Sequence, residues 1–207
     1  SDMARHLHRG MHRKGDAPLN THNRTIYLVC SKTGTWLSTL ITLFSRIQYP
    51  HASISFDESF ERMYTFGRTR PCNPVSGGFA IENLNEWVYK NHSDCSCAIY
   101  RIAVTQQQYE ASRRLVEEFI RNKGMYRYSL LGLVGVLFNI PIKRSDHYFC
   151  SQFVAEVLIK SEVVSSSKVP QLITTDDLRA LVKNDLMYEG VVEPSLISQA
   201  MNHAKVS

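Results

Sequence analysis

The chain has no apolar run long enough to cross a membrane. Its longest, LLGLVGVLF at residues 130–138, is about half of the ~20 residues that a spanning helix needs. No apolar segment follows the basic residues at the start, as a secretory signal would require, before the fold is expected to begin near Thr25. Cysteines number only five and are irregularly spaced, which argues against a disulfide framework. These absences predict a cytoplasmic protein with reduced thiols.

Composition and charge predict one folded domain with a basic tail. The 207 residues are 43% hydrophobic and 21% charged, which is enough apolar surface for one sizeable core. Residues 5–24 hold five lysines and arginines against the single acid Asp16. We therefore expect a flexible basic tail at 1–24 and one domain over 25–207. The tail is expected to contact an anionic surface weakly at most, and no specific nucleic-acid partner is expected.

Short β-rich or alternating runs predict strands in the first half of the chain. TIYLVCSK, at 25–32, is short and apolar, and HASISF, at 51–56, alternates apolar and polar residues. The turn residues DES follow, and FERMYTFG, at 60–67, returns as a second strand, which predicts a hairpin. FAIENL at 79–84 and CAIYRIAV at 97–104 predict two further strands.

Apolar residues at helical spacing predict helices between and after these strands. The spacing recurs in TWLSTLITLFSRI after Gly34, between Tyr109 and Ile120, in the glycine-containing stretch 125–141 and over Cys150–Lys160. TTDDLRALV predicts a short capped helix, and the residues after it predict a closing strand and a tail. The order of elements predicts an α+β fold with helices packed on a mostly antiparallel sheet.

The stretch HYFCSQFV places Cys150 at the predicted start of a helix. Unpaired N–H groups and the positive end of the helix dipole stabilise a thiolate there, and the thiolate is the nucleophilic form of cysteine. Ser151 is the expected N-cap. The alternative is structural, because Cys150 shares a helix face with Phe153 and Val157, and free cysteine is among the most buried residue types.

His51 opens the strand HASISF on the face opposite Ala52, Ile54 and Phe56, so it does not belong to that apolar row. An imidazole at a strand end that faces a helix N-terminus is an arrangement that thiol catalysis uses, because the ring takes or shares the thiol proton. A solvated strand histidine is the alternative. Considered together, the two residues predict a pair formed by Cys150 and His51.

The order of these stretches resembles that of the circularly permuted NlpC-type papain-like cysteine hydrolases. A strand and a helix come first, then HASISFDESFERMYTFG with its histidine at the start of a hairpin, then GMYRYSLLGLVG and YFCSQFVAEVL. In the permuted group the histidine precedes the cysteine, as it does here. The resemblance covers about 25–186 and implies a papain-like fold, in which the helix that begins near Cys150 packs on an antiparallel sheet that carries His51.

The resemblance also implies a reaction, namely cleavage of an amide bond in a peptide or a cell-wall-derived fragment. Cys150 would be the nucleophile and form a thioester, and His51 would be the general base and later the acid. Backbone N–H groups at the start of the helix would bind the oxyanion. No metal or organic cofactor is required by such a reaction.

A third polar residue on a neighbouring strand orients the histidine in that family. With the hairpin turn at DES, Tyr64 or Thr65 is the polar residue expected opposite His51. Glu82, on the following strand, is the other candidate. The expected catalytic set is therefore Cys150 and His51, with Thr65 or Glu82 as the orienting residue.

Two other groups of residues are alternatives to this site. His147 lies three residues before Cys150 and is a second candidate base, but a residue ahead of a helix is expected to point along the preceding loop. HSDCSC brings His92, Cys95 and Cys97 close together. A C-x-C pattern with an upstream histidine is a poor match to zinc-site spacing, so we expect ordinary loop and strand residues there.

The apolar stretch YSLLGLVGVLF, followed by Lys143 and Arg144, allows a second substrate class. It is typical of a core segment or, alternatively, of an acyl-chain groove or interfacial patch. Proteins that resemble lecithin retinol acyltransferase apply a Cys–His pair to lipids, so a lipid acyltransferase or thioesterase is the alternative enzyme. A non-catalytic papain-like binding module is the third hypothesis. The expected ligand is a small peptide, amide or lipid-like substrate.

Overall fold

Six antiparallel strands form the central sheet of the protein, and two short strands form a separate ribbon. A computed structural model describes residues 23–32, 47–68, 77–85, 95–128, 135, 138–141 and 146–206. The strands in these residues are β1 (Arg24–Lys32), β2 (His51–Ser55), β3 (Met63–Arg68), β4 (Gly77–Glu82), β5 (Ser96–Val104), β6 (Arg127–Tyr128), β7 (His147–Tyr148) and β8 (Leu186–Val191). The sheet order is β4-β3-β2-β1-β5-β8, and β6 pairs with β7 as a separate parallel ribbon. The predicted hairpin of β2 and β3 is confirmed.

Four α-helices accompany the sheet in the described part of the chain. They are α1 (Gln106–Arg121), α2 (Cys150–Lys160), α3 (Thr175–Leu181) and α4 (Pro194–Val206), and single 3-10 turns cover Lys123–Met125, Pro170–Leu172 and Lys183–Asp185. The predicted α+β fold is confirmed. The expected irregular tail after the closing strand is wrong, because Ile197 and Met201, four residues apart, give α4 an apolar face that packs on the sheet.

Alternation along β1 divides the core into two parts, one on each face of the sheet. On the first face, Leu28 and Cys30 pack with residues of α1 and α2. On the second face, Val29 packs with α4, through Ile197 and Met201. Because strand neighbours point to opposite faces, the residues of β2 are divided in the same way, with Ala52 and Ile54 in the first core.

The helices differ in how their first turns are closed. Thr105 caps α1 and Thr174 caps α3, each through a reciprocal capping box, a device worth about 1 kcal/mol. The N-cap residue of α2 is Phe149, whose side chain makes no capping hydrogen bond. Packing of its buried face, and not capping, therefore holds α2 in place.

A cluster of aromatic rings fixes the start of α2 against the sheet. Phe66 of β3 lies at its centre, with ring centroids 5.1 Å from Tyr148 and 5.4 Å from Phe153. Phe79 and Phe119 extend the cluster to β4 and α1. Because Tyr148 and Phe153 lie on either side of Cys150, the cluster positions the first turn of α2 relative to β3. Truncating such a core phenylalanine to alanine typically costs about 3–5 kcal/mol.

Several predicted features lie outside the described residues. They are the basic tail, the helix after Gly34, Cys72, His92 and most of the apolar stretch before α2. Among the helices that are described, none combines the length and the apolar character needed to cross a membrane.

Candidate active site

His51 is the first residue of β2 and stands where the sheet ends. Its main chain pairs with Ser31 of β1, and its side chain is 20% exposed. Both neighbours in the chain are buried, Ala52 in the first core and Pro50 directly ahead of the strand. The imidazole is therefore carried by a rigid strand at a position that solvent and a ligand can reach.

Cys150 is the first residue of α2, and its thiol meets the chain that leads into β2. The thiol donates a hydrogen bond to the carbonyl oxygen of Pro50, with a sulfur–oxygen distance of 3.6 Å. It also lies close enough to the imidazole of His51 to raise the pKa of that ring. Cys150 is 5% exposed. The predicted pair is thus brought together at the end of the sheet, although the two residues belong to distant parts of the sequence.

The main chain at the start of α2 presents unpaired donors beside the thiol. The first hydrogen bond of the helix runs from the N–H of Phe153 to the carbonyl of Phe149, 3.1 Å. The N–H groups of residues 150–152 precede it and have no partner within the helix. The prediction that Ser151 is the N-cap is wrong, because its buried hydroxyl donates to the carbonyl of Ile173, 2.8 Å, and ties α2 to the segment before α3.

Glu82, the last residue of β4, supplies the carboxylate that meets the His51 ring. His51 Nε2 lies 2.9 Å from Glu82 Oε2, and the Glu82 side chain is only 16% exposed. Ser53, two residues after His51, donates its hydroxyl to the same Oε2 at 3.1 Å. Because Nε2 is directed at Glu82, Nδ1 is the ring nitrogen that remains for an interaction with the Cys150 thiol.

His51 and Glu82 stabilise each other's charged forms, although burial disfavours both charges. Burial lowers the pKa of His51, but the Glu82 carboxylate, followed by hydrogen bonds to Cys150 and Glu82, outweighs it and holds this pKa well above its usual value. Burial likewise raises the pKa of Glu82, while the charge and hydrogen bond of His51 and the hydroxyl of Ser53 bring the net pKa below its usual value. The two side chains are therefore arranged to form an ion pair when the His51 ring holds a proton.

Thr65, the other candidate for the orienting residue, does not reach the ring. It is fully buried, and its hydroxyl donates across the hairpin to the carbonyl of Ala52 at 2.7 Å. The expected register is also wrong by two residues. Ser55 pairs with Met63, so the loop occupies residues 56–62 and is centred one position later than the DES turn. Continued to His51, this register points to position 67 and not to 64 or 65.

His147, the competing base, has a different partner. Its Nδ1 lies 2.7 Å from Oδ1 of the adjacent, half-exposed Asp146. Its strand, β7, pairs with β6 in the small ribbon that leads into α2. The interactions described for the Cys150 thiol are with the Pro50 carbonyl and with His51.

Arg179 of α3 fixes the segment that precedes His51. Its guanidinium donates to the hydroxyl of Tyr100 at 2.8 Å and to Glu189 at 3.0 Å, and it lies 4.8 Å from the centroid of the Tyr49 ring. A planar guanidinium can hold several fixed partners at once. This contact anchors the chain directly ahead of the Pro50 carbonyl and His51.

The other cysteines that the structure describes belong to the core. Cys30 and Cys97 are fully buried free thiols, and Cys95 is almost fully buried. Within the described residues, no group of three or more histidine, cysteine, aspartate or glutamate side chains is arranged to hold a metal ion. Of the apolar stretch, Phe138 and the following Ile140 are described, and they are 72% and 57% exposed.

Sequence reasoning missed two members of this site, the Ser53 hydroxyl and the Pro50 carbonyl. Ser53 carried a signal, because it is two residues from His51 on an alternating strand and so shares its face. A backbone carbonyl carries no such signal. Comparison with protein-family models, with curated proteins and with solved structures gives no match to this chain.

Proposed function

We propose that this chain is a papain-like cysteine hydrolase that cleaves an amide bond through a thioester on Cys150. The observation that supports the proposal is the convergence of two groups on one imidazole, the Cys150 thiol and the Glu82 carboxylate, which lies 2.9 Å from Nε2. A thiol, a base and a group that orients the base are the parts that nucleophilic catalysis by cysteine requires. Cys150 is the nucleophile, His51 the base and acid, and Glu82 the orienting residue.

The proposed reaction begins with transfer of the thiol proton to His51 and attack of the sulfur on the carbonyl carbon of the amide. The carbonyl oxygen becomes an oxyanion, which the N–H groups at the start of α2 bind because they are already oriented and unpaired within the helix. His51 then protonates the leaving amine as the C–N bond breaks, and a thioester remains. Water attacks the thioester, gives a proton to His51, and releases a carboxylic acid and the free thiol.

In the proposed reaction, the Glu82 carboxylate stabilises the protonated form of His51 and orients its ring. A carboxylate bonded to Nε2 favours the imidazolium, so a thiolate at Cys150 would face a positive ring and not a neutral one. The same bond fixes the ring rotation, which keeps Nδ1 directed at the sulfur. The ion pair of His51 and Glu82 therefore supports both formation of the nucleophile and protonation of the leaving group.

The proposed fold family and compartment follow from the same features. A helix that begins with the nucleophile and packs on an antiparallel sheet carrying the histidine is consistent with the permuted papain-like group, with its histidine ahead of its cysteine. Free, buried thiols at Cys30 and Cys97 are consistent with the reducing cytoplasm. The proposed substrates are small amides, among them peptides and fragments derived from cell wall.

A lipid substrate is the second candidate. Its support is the exposure of Phe138 and Ile140, which belong to or directly follow the apolar stretch before α2. Exposed apolar side chains of this size are typical of surfaces that meet acyl chains. The same pair of Cys150 and His51 would then transfer or hydrolyse an acyl group. Parallel assays with a peptide amide and with a long-chain acyl thioester distinguish the two candidates.

The decisive experiment measures alkylation of Cys150 by iodoacetamide at pH 6.0 and pH 8.5, read by peptide mass spectrometry. The wild type is compared with His51→Ala and with the matched control His147→Ala, which removes the other histidine near the cysteine in sequence. We expect Cys150 of the wild type and of His147→Ala to react at pH 6.0 at nearly the rate seen at pH 8.5. In His51→Ala the rate at pH 6.0 is expected to fall about 100-fold.

Two outcomes contradict the proposal. Loss of reactivity in His147→Ala, with His51→Ala unaffected, would make His147 the base. A Cys150 that is inert in all three proteins would be a buried helix residue, and the fold would then be a binding module. Unchanged circular dichroism spectra of the variants ensure that the rates report on the site and not on unfolding.

A further inference from the structure

The carboxylate of Glu82 reaches His51 from two strands away. Glu82 ends β4, which pairs with β3, and β3 pairs with β2. Two strand spacings amount to about 10 Å, so the side chain must extend over β3 to meet the ring. At Gly67 of β3, an added Cβ atom would lie 3.8 Å from His51 Cε1 and 3.9 Å from Glu82 Oε1. The ion pair thus lies directly over a position without a side chain.

A glutamate that extends this far has three rotatable side-chain bonds and needs a second contact to stay in place. Ser53 supplies one. Its hydroxyl donates to Glu82 Oε2 at 3.1 Å and lies 3.4 Å from His51 Nε2, so the three polar atoms form a triangle whose third side is the 2.9 Å bond from His51 to Glu82. Ser53 is itself 1% exposed and is held in β2 by its pairing with Val29.

We propose that Ser53 is a positioning residue, whose hydroxyl anchors the Glu82 carboxylate where it orients His51 toward Cys150. The inference rests on the proposed function of Cys150 and His51. Ser53 does not touch the thiol in this arrangement and acts only through Glu82 and the ring. Without the Ser53 hydroxyl, the Glu82 carboxylate loses one of the two donors to Oε2 and can rotate away over Gly67.

Ser55 offers a matched control on the same strand. It is two residues further along β2, on the same face, and equally buried. Its hydroxyl, however, donates to the main-chain carbonyl of Asp57 at 2.9 Å and takes no part in the site. Ser53→Ala and Ser55→Ala therefore each remove one buried hydroxyl from one strand, but only the first removes a contact with Glu82.

The experiment follows the imidazole and the thiol separately in wild type, Ser53→Ala, Ser55→Ala and Ser53→Thr. The titration midpoint of His51 is measured by NMR on protein with carbon-13-labelled histidine, and iodoacetamide alkylation of Cys150 is measured between pH 5 and pH 9. In Ser53→Ala we expect the His51 midpoint to fall by about one pH unit and alkylation at pH 8 to fall about three- to tenfold. Ser55→Ala is expected to match the wild type in both, and Ser53→Thr, which keeps the hydroxyl, to restore both.

A purely structural role for Ser53 would lower thermal stability in both alanine variants and leave the His51 midpoint unchanged. That result overturns the inference, and so does Ser53→Ala matching Ser55→Ala in alkylation. Failure of the proposed function looks different, because His51→Ala would then also leave alkylation of Cys150 unchanged. If Ser53→Ala does not fold, Ser53→Cys, which replaces the hydroxyl by a weak donor of similar size, gives the same comparison.

Discussion

Two buried free cysteines lie in neighbouring regions of this protein and have different surroundings. Cys30, in the middle of β1, packs among apolar residues of the first core. Burial raises the pKa of its thiol far above the usual value, and the nearby charge of Arg179 offsets little of that effect. Cys150, at the start of α2, contacts the Pro50 carbonyl and the His51 imidazole instead. The two are close enough for charge on Cys150 to raise the pKa of Cys30 further.

Burial alone does not determine the electrostatic surroundings of a thiol. Both side chains are at most 5% exposed, so accessible surface does not separate them. The two thiols differ in the polar groups that lie close to the sulfur. A thiolate at Cys30 would have an apolar wall around it, whereas a thiolate at Cys150 would face an imidazolium and the donors of a helix start.

Removing the Cys150 thiol is expected to have the largest effect. Cys150→Ala deletes the proposed nucleophile and should lower the proposed amide hydrolysis by about a thousandfold or more, because the remaining groups only bind and polarise the substrate. Circular dichroism and thermal unfolding should show that the fold is kept. Hydrolysis at the wild-type rate in this variant would contradict the mechanism and would erase the distinction between the two cysteines.

Replacing the charge at Glu82 is expected to have the next largest effect. Glu82→Gln keeps the side-chain shape and removes the negative charge that raises the pKa of His51. The imidazolium, which protonates the leaving amine in the proposed reaction, is then lost at a lower pH, so the descending alkaline limb of the pH–rate profile of amide hydrolysis should move to lower pH and the rate at pH 8 should fall about tenfold. A limb that stays in place would mean that Glu82 does not control the ring.

The ion pair should also give the protein a pH-dependent stability. The pKa of His51 is raised by folding, so its contribution is complete below about pH 6.5 and is lost as pH rises through the folded pKa. The pKa of Glu82 is lowered, so its contribution is complete above about pH 4.3 and is lost as pH falls through the folded pKa. The free energy of unfolding should therefore differ most between wild type and Glu82→Gln from about pH 4.3 to 6.5.

Urea unfolding across that range checks the prediction, and Asp146→Asn is its control. Asp146 is a half-exposed carboxylate beside the other histidine, and exposed pairs contribute little. We expect its effect on the free energy of unfolding to be small at every pH. An equal response in both variants would show that the buried pair is no stronger than the exposed one.

The smallest effect on reactivity is expected for Cys30→Ala. Deleting a fully buried sulfur from the first core should lower the free energy of unfolding by about 1–2 kcal/mol. Alkylation of Cys150 should stay within about twofold of wild type, because Cys30 provides it with no hydrogen bond. A tenfold change in alkylation would mean that the two thiols act as one unit.

Local pattern was enough to predict the elements that carry the site. The alternation of HASIS predicted β2 and placed His51 opposite the apolar row, and apolar spacing predicted α2 over Cys150–Lys160. Both predictions are confirmed, because in each element the apolar residues of the pattern lie on the buried face. Candidate positions for the base and the thiol follow from such patterns alone.

The third residue could not be chosen from sequence because it depends on the register of a hairpin. The loop of residues 56–62 includes Phe60 with φ of 54°, a conformation that bulky residues rarely adopt and that no local rule predicts. Moving the centre of the loop by one position shifts the strand register by two residues and moves Thr65 away from His51. The prediction that Ser151 is the N-cap was wrong for a similar reason. Its hydrogen bond to the carbonyl of Ile173 is a tertiary contact that overrides the local capping preference.

The hydrogen bond between Cys150 and Pro50 joins positions 100 residues apart in the chain. During synthesis, β1 to β5 emerge before α2, so the ring, its carboxylate and Ser53 can assemble on the sheet while the thiol is still absent. The proposed nucleophile meets its proposed base only when the long loop between them has closed, which is a slow, non-local step. If the proposed function holds, reactivity at Cys150 reports completed folding, and an immature chain carries no activated thiol.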